Sequence, residues 1–109
     1  MNKYGNKRVY DGDEVFDSRK EHNRWRELLL MQRAGEISGL RRQVKFELLP
    51  SMKSSHGTIR ATYYIADFVY TDTRKREIVV EDVKGVRTDV YKLKKKMMLN
   101  KYGVEVMET

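Results

Sequence analysis

Apolar residues recur along the chain with two periods. From Arg60 to Tyr70, tyrosine, isoleucine, valine and threonine crowd together and leave both faces apolar, as a central β-strand requires. Upstream, Gln43 to Leu48 alternates strictly. Val44, Phe46 and Leu48 fall on one side and Gln43, Lys45 and Glu47 on the other, which predicts a half-exposed strand. Pro50 stops that strand, and Ser51 to Gly57 reads as a polar loop. A charged turn, Thr71 to Lys75, leads into a further β-forming run, Glu77 to Lys84, which Gly85 closes.

Helical spacing governs two other stretches. Ser18 with Glu21 three residues later fits a capping box, and good helix formers run on to about Arg33. Trp25, Leu28, Leu29 and Gln32 make the stripe of that helix, and Ala34-Gly35 ends it. A second helix opens at Thr88 as N-cap, with Asp89 favourable in its first turn. Val90, Leu93, Met97 and Met98 are its expected apolar stripe; Gly103 stops it and Val104 to Met107 supplies a last short strand. Residues 1–15 mix glycine, asparagine and charge around an Asp11-Gly12 turn. They read as a loose basic arm with a short strand near Arg8 to Tyr10. The order helix, three strands, helix, strand predicts an α/β fold on a mixed central sheet, in one domain spanning 1–109.

Composition narrows the chemistry. The 109 residues include no cysteine, so disulfides, thiolate metal sites and cysteine nucleophiles are excluded. His22 and His56 lie too far apart to suggest a zinc site by spacing. The longest wholly apolar run, Leu28 to Met31, is far too short to span a bilayer, and a cytoplasmic protein without a membrane partner is expected. A net charge of +7 points to a polyanionic partner, although charge for solubility alone gives the same number. Charge does not separate binding from cutting.

The acids carry more information. Asp67 sits within Tyr64-Ile65-Ala66-Asp67-Phe68-Val69-Tyr70, and an ionised carboxylate in so apolar a strand is costly unless it is paired or metal-bound. In Val79-Val80-Glu81-Asp82-Val83-Lys84, Asp82 and Lys84 project from one face, about 7 Å apart along the strand, while Glu81 points the other way. An acid and an amine so placed can serve one phosphate, the acid holding a divalent cation and the lysine approaching the attacking water; a same-face salt bridge is the structural alternative. Glu21 falls four residues before Trp25, near the top of the sheet-facing stripe, where it is either a site carboxylate or simply the partner of Ser18 in the helix cap. Two or three such carboxylates suit Mg²⁺ or Mn²⁺, and no organic cofactor is implied.

These segments also resemble a known group. FDSRKE (16–21), YIADFVY (64–70), VVEDVKG (79–85) and TDVYKLKKKMM (88–98) are similar to a family of small phage and prophage proteins assigned to the PD-(D/E)XK nuclease superfamily. The resemblance runs from about Lys3 to Val106. It implies a restriction-endonuclease-like αβββαβ core and a catalytic set matching Glu21, Asp67, Asp82 and Lys84, with the Val83 carbonyl joining the three acids around the metal. It also implies a homodimer that cuts branched DNA, foremost four-way (Holliday) junctions. Ala66 stands in place of the superfamily's proline, and Asp82 where many members carry glutamate. Nucleic acid is expected along Arg87, Lys92, Lys94, Lys95 and Lys96, and in a second basic zone that includes Lys7, Arg8, Arg19 and Lys20. Two other readings stay open: a nicking or single-strand nuclease, and a non-catalytic DNA-binding protein of the same fold.

Overall fold

Burial of apolar side chains on two helices and one sheet organises the molecule. A computed structural model describes residues 7–83 and 87–109. Its elements, in chain order, are β1 (Val9–Asp11), β2 (Glu14–Phe16), α1 (Arg19–Arg33), β3 (Ile37–Leu49), β4 (Met52–Ser54), β5 (Gly57–Ile59), β6 (Thr62–Asp72), β7 (Glu77–Asp82), α2 (Asp89–Tyr102) and β8 (Met107–Glu108). The main sheet has the order β3-β6-β7-β8; β7 and β8 run parallel, with α2 between them in sequence. Among the described residues the protein is therefore a mixed α/β protein with a four-stranded mixed sheet, two helices and two small hairpins.

Among the described residues the chain forms two units, one running to Leu40 and including Tyr70–Ile78, the other comprising Arg41–Val69 and Val79–Thr109. In the first, β1 and β2 pair antiparallel, Val9 opposite Phe16, and the Asp11-Gly12 turn joins them. The expected loose arm is thus a hairpin over these residues, because Phe16 is fully buried and packs on the His22 ring, with centroids 4.9 Å apart. Ser18 caps α1, its hydroxyl accepting the Glu21 N–H at 3.1 Å. The buried positions of α1 are Glu21 and Leu28, two turns apart, while Leu29 is exposed. Beyond the helix Gly35 adopts a left-handed φ of 80°, and the Thr73 hydroxyl donates to the carbonyls of Gly35 and Glu36.

Strand β3 starts six residues before the alternating segment. The buried Ile37 and half-buried Leu40 are an odd step apart, on either side of Gly39 at φ 64°, so no period of two marks the start of the strand. The expected Ser51–Gly57 loop is instead most of the β4–β5 hairpin, with Met52 opposite Ile59. Every residue of that hairpin is exposed, so nothing in its hydrophobic pattern reveals it. The Ser54 hydroxyl stitches its turn, donating to the Gly57 carbonyl at 2.9 Å.

The second unit holds a core of Leu48, Tyr64, Ala66, Val69, Val80, Tyr91, Met98 and Val106. Helix α2 is capped by Thr88 at the start and by left-handed Gly103 at the end, as its sequence predicts. Its buried face keeps Met98 and half-buried Met97 of the expected stripe but loses the other two positions. Tyr91 and Met98 face the core, whereas Val90 and Leu93 are 63% and 57% exposed. Tyr91 and Met98 are seven apart and share a face, with half-buried Lys94 and Lys95 between them, whose aliphatic stems suit the edge of a core. Hydrophobicity alone favoured valine and leucine over a tyrosine.

That face makes a direct prediction. Met98→Ala should cost about 2–5 kcal/mol in urea unfolding, the usual range for a truncated core methionine. Leu93→Ala should stay within roughly 0.5 kcal/mol. Equal losses would return α2 to the expected register.

Candidate functional site

Strand β7 ends on two buried acids that face opposite ways. Glu81 is fully buried and Asp82 is 3% exposed. Their partners differ. The Asp82 carboxylate accepts the Tyr64 hydroxyl at 2.7 Å, while Glu81 accepts the Thr109 hydroxyl at 3.1 Å. Strand β8 holds this end in place: Glu81 pairs with Met107, Asp82 with Glu108, and the Thr109 N–H donates to the Asp82 carbonyl. Burial, then the Asp82 charge, pushes the Tyr64 phenol far above its ordinary range, so it remains a protonated donor.

Asp67, on β6, reaches the same strand end. One carboxylate oxygen accepts the N–H of Val83 at 2.8 Å, and the other accepts the Gln43 side-chain amide at 3.3 Å. Val83 follows Asp82 directly, so Asp67 lies against the backbone immediately beyond it. Gln43 is itself unusual. Its φ of 51° places a residue with a side chain in the left-handed region within a strand, a conformation costing on the order of 1–3 kcal/mol. Tyr64 and Gln43 are site residues that sequence reasoning missed. Neither has a signal beyond being a polar group in or beside an apolar strand.

A second polar cluster lies over α2. The Glu108 carboxylate accepts the Tyr91 hydroxyl at 2.7 Å and pairs with Arg87 through Nε at 3.0 Å and Nη2 at 2.9 Å; Lys95 stands 3.6 Å away. The hydrogen bond from Arg87, then that from Tyr91, pulls the Glu108 carboxyl from 4.5 down to about 2. Burial, then the bond to Glu108, raises Tyr91. Arg87, Lys92, Lys95 and Lys96 line a cleft of about 300 Å³ in which Tyr91 and Glu108 also take part.

Lys84, the expected amine of the acid-x-lysine pair, lies outside the described residues. Glu21 belongs to the first unit, buried on α1 with its backbone held by Ser18. Lys7, Arg8, Arg19 and Lys20 are exposed in that same unit. Lys94 is half-buried on α2 and is not among the cleft-lining residues. Asp67 and Asp82 are brought to one strand end, and four of the five expected α2-side cations are brought to one cleft.

Among the described residues no three histidines or acids gather into a ready metal cage. A pair of aspartates nevertheless suits a magnesium-like ion, which often takes only one or two carboxylates and keeps several waters. No helix among the described residues is long and apolar enough to cross a membrane.

Residues 1–108 match a protein family described as "Protein of unknown function (DUF1064)". The chain belongs to this family. No curated protein and no solved structure matches it.

Two outcomes test these groups. Tyr64→Phe removes the phenol that donates to the buried Asp82 carboxylate and should lower stability by about 1–3 kcal/mol. Glu108 is depressed in the folded state, so its contribution is full above the unfolded value of 4.5 and is lost as pH falls through about 2. The stability gap between wild type and Glu108→Gln should accordingly close across that window, as followed by thermal unfolding at stepped pH. A Glu108 carboxyl titrating at its ordinary value by NMR would remove the effect.

Proposed function

We propose that this protein is a metal-dependent DNA endonuclease that hydrolyses phosphodiester bonds, with branched DNA such as a four-way junction as its substrate. The observation that carries this reading is the meeting of Asp67 with the strand end at Asp82, each carboxylate held by its own donors. Fixed hard-oxygen donors at a strand end suit Mg²⁺ or Mn²⁺, and the resemblance to PD-(D/E)XK nucleases adds the Val83 carbonyl as a further oxygen ligand. Bound there, the ion would acidify a water and neutralise charge on the phosphate.

The chain's own contributions follow from position. Tyr64 fixes one carboxylate, and Gln43 with the Val83 N–H fixes the other. Preset donors need no reorganisation when the reaction occurs. Lys84 enters as the amine two residues from Asp82, and Glu21 as a further acid through the resemblance to PD-(D/E)XK nucleases. The cations of the α2 cleft supply phosphate contacts, which set position without reading sequence. The resemblance also supplies the homodimer, whose paired sites would cut opposed strands of a junction.

A second reading has its own support. Neither aspartate lines the basic cleft, so a protein that binds DNA without cutting it would use the same surface. One experiment separates the two. Purified protein with Mg²⁺ or Mn²⁺ should cut a four-way junction in preference to plain duplex. Asp82→Asn should retain junction binding but lose cutting by roughly a hundredfold or more, the usual scale for removing a preset electrostatic group. Binding without cutting by the wild type leaves the accessory reading; cutting by Asp82→Asn at the wild-type rate removes Asp82 from the site.

A further inference from the structure

The cleft over α2 holds an acid where a basic surface would be expected to stay open. Arg87 directs both Nε and Nη2 at one oxygen of Glu108, and Tyr91 donates to the other, with Lys95 nearby. Lys92 and Lys96 are exposed on the same cleft and make no ion pair among the described residues. A guanidinium, a phenol and an ammonium converging on paired oxygens are the donors that bind a phosphate, and Glu108 offers two oxygens and one negative charge in its place. We infer that Arg87, Tyr91 and Lys95 form a phosphate seat, occupied by the chain's own Glu108 until a nucleic-acid phosphodiester displaces it. This rests on the reading of the cleft as a nucleic-acid surface and adds the location of one phosphate and its internal competitor.

Displacement exchanges one anion for another, so the donors around Glu108 keep a partner. The Arg87 side chain is 58% exposed and its side of the pair is screened by salt, while Glu108, 18% exposed, must also give up the Tyr91 hydroxyl. Glu108 is held in β8 by its backbone, through pairing with Asp82, so its side chain can rotate away without opening the sheet. A phosphodiester arriving at the seat gains Arg87 and Lys95 together and extends toward Lys92 and Lys96 along the helix. Chelated multi-lysine contact of that kind outcompetes a single carboxylate through counterion release.

The alternative is that Glu108 serves the site by holding Arg87 in place for the ligand. The two accounts give opposite signs. With a 20-nucleotide DNA probe in EDTA, so that nothing is cut, Glu108→Gln should bind roughly three- to tenfold more tightly than wild type. Its salt slope should stay that of the wild type, because the same phosphate fills the seat in both bound proteins. Adding Arg87→Ala should erase the gain. Glu105→Gln, which removes a charge from the same cleft away from Arg87's hydrogen bonds, should give a smaller gain with no change in salt slope. Glu108→Asp keeps the charge but withdraws the carboxylate by one methylene; it should fall between wild type and Glu108→Gln, and it serves in place of the glutamine variant if that one unfolds. Weaker or unchanged binding by Glu108→Gln, or an equal effect from Glu105→Gln, overturns the seat. Because binding is read without metal, a wild-type protein that never cuts leaves this result standing. An active nuclease without the Glu108 effect overturns the seat alone.

Discussion

A carboxylate buried at the end of an apolar strand is expensive to keep ionised unless donors meet it, and that demand shapes the second unit. Asp82 is met by the Tyr64 phenol from the neighbouring strand, and Asp67 by the Val83 N–H and the Gln43 amide. These contacts fix more than charge. The Val83 N–H lies one residue beyond β7, where no strand neighbour is its partner; Asp67 takes that role with a side chain. The two aspartates are thus tied to each other through the backbone between Asp82 and Val83. A shift of β6 against β7 would disrupt both sets of bonds together.

The same strand end is gripped from the other side. Glu81 and Asp82 point to opposite faces, and both would be stranded if β7 were an edge strand here. β8, only two residues long, prevents this by pairing with them and by placing Thr109 against the Glu81 carboxylate and the Asp82 carbonyl. The strand that closes the sheet also delivers Glu108 into the α2 cleft. Acid pair and basic cleft are therefore mechanically linked through Asp82 and Glu108, which are register partners. Tyr91 feels the charge of both, since each contributes to raising its phenol.

How much of this the sequence disclosed follows from what each feature depends on. Helix ends depend on local chemistry, so Ser18, Thr88 and Gly103 marked them correctly. The core strands β6 and β7 depend on dense β-formers, and these too were visible. Asp67 and Asp82 stood out because carboxylates are rare in such company. Their partners did not, because Tyr64 and Gln43 acquire meaning only from register between strands, which one sequence does not encode as a pattern. The α2 face was legible at Met97 and Met98 but not at Tyr91, for a related reason: a tyrosine whose hydroxyl finds a half-buried partner, Glu108, outranks a valine that has none. The β4–β5 hairpin buries nothing, so no hydrophobic period announced it.

Gln43 shows how the site constrains the backbone around it. Within a strand, a left-handed residue is a local fault, and glycine is the residue that would hold that conformation without strain. Gly39, four residues earlier in β3, does so at φ 64°. At position 43 the chain instead accepts the strain with a glutamine, and the side chain that glycine would lack is the one whose amide reaches Asp67. The left-handed turn of the backbone and the amide contact come together at one residue: relieving the first by substitution removes the second. The left-handed backbone at Gln43 therefore belongs to the surroundings of Asp67 as much as to the sheet, while the Val83 N–H holds the other carboxylate oxygen.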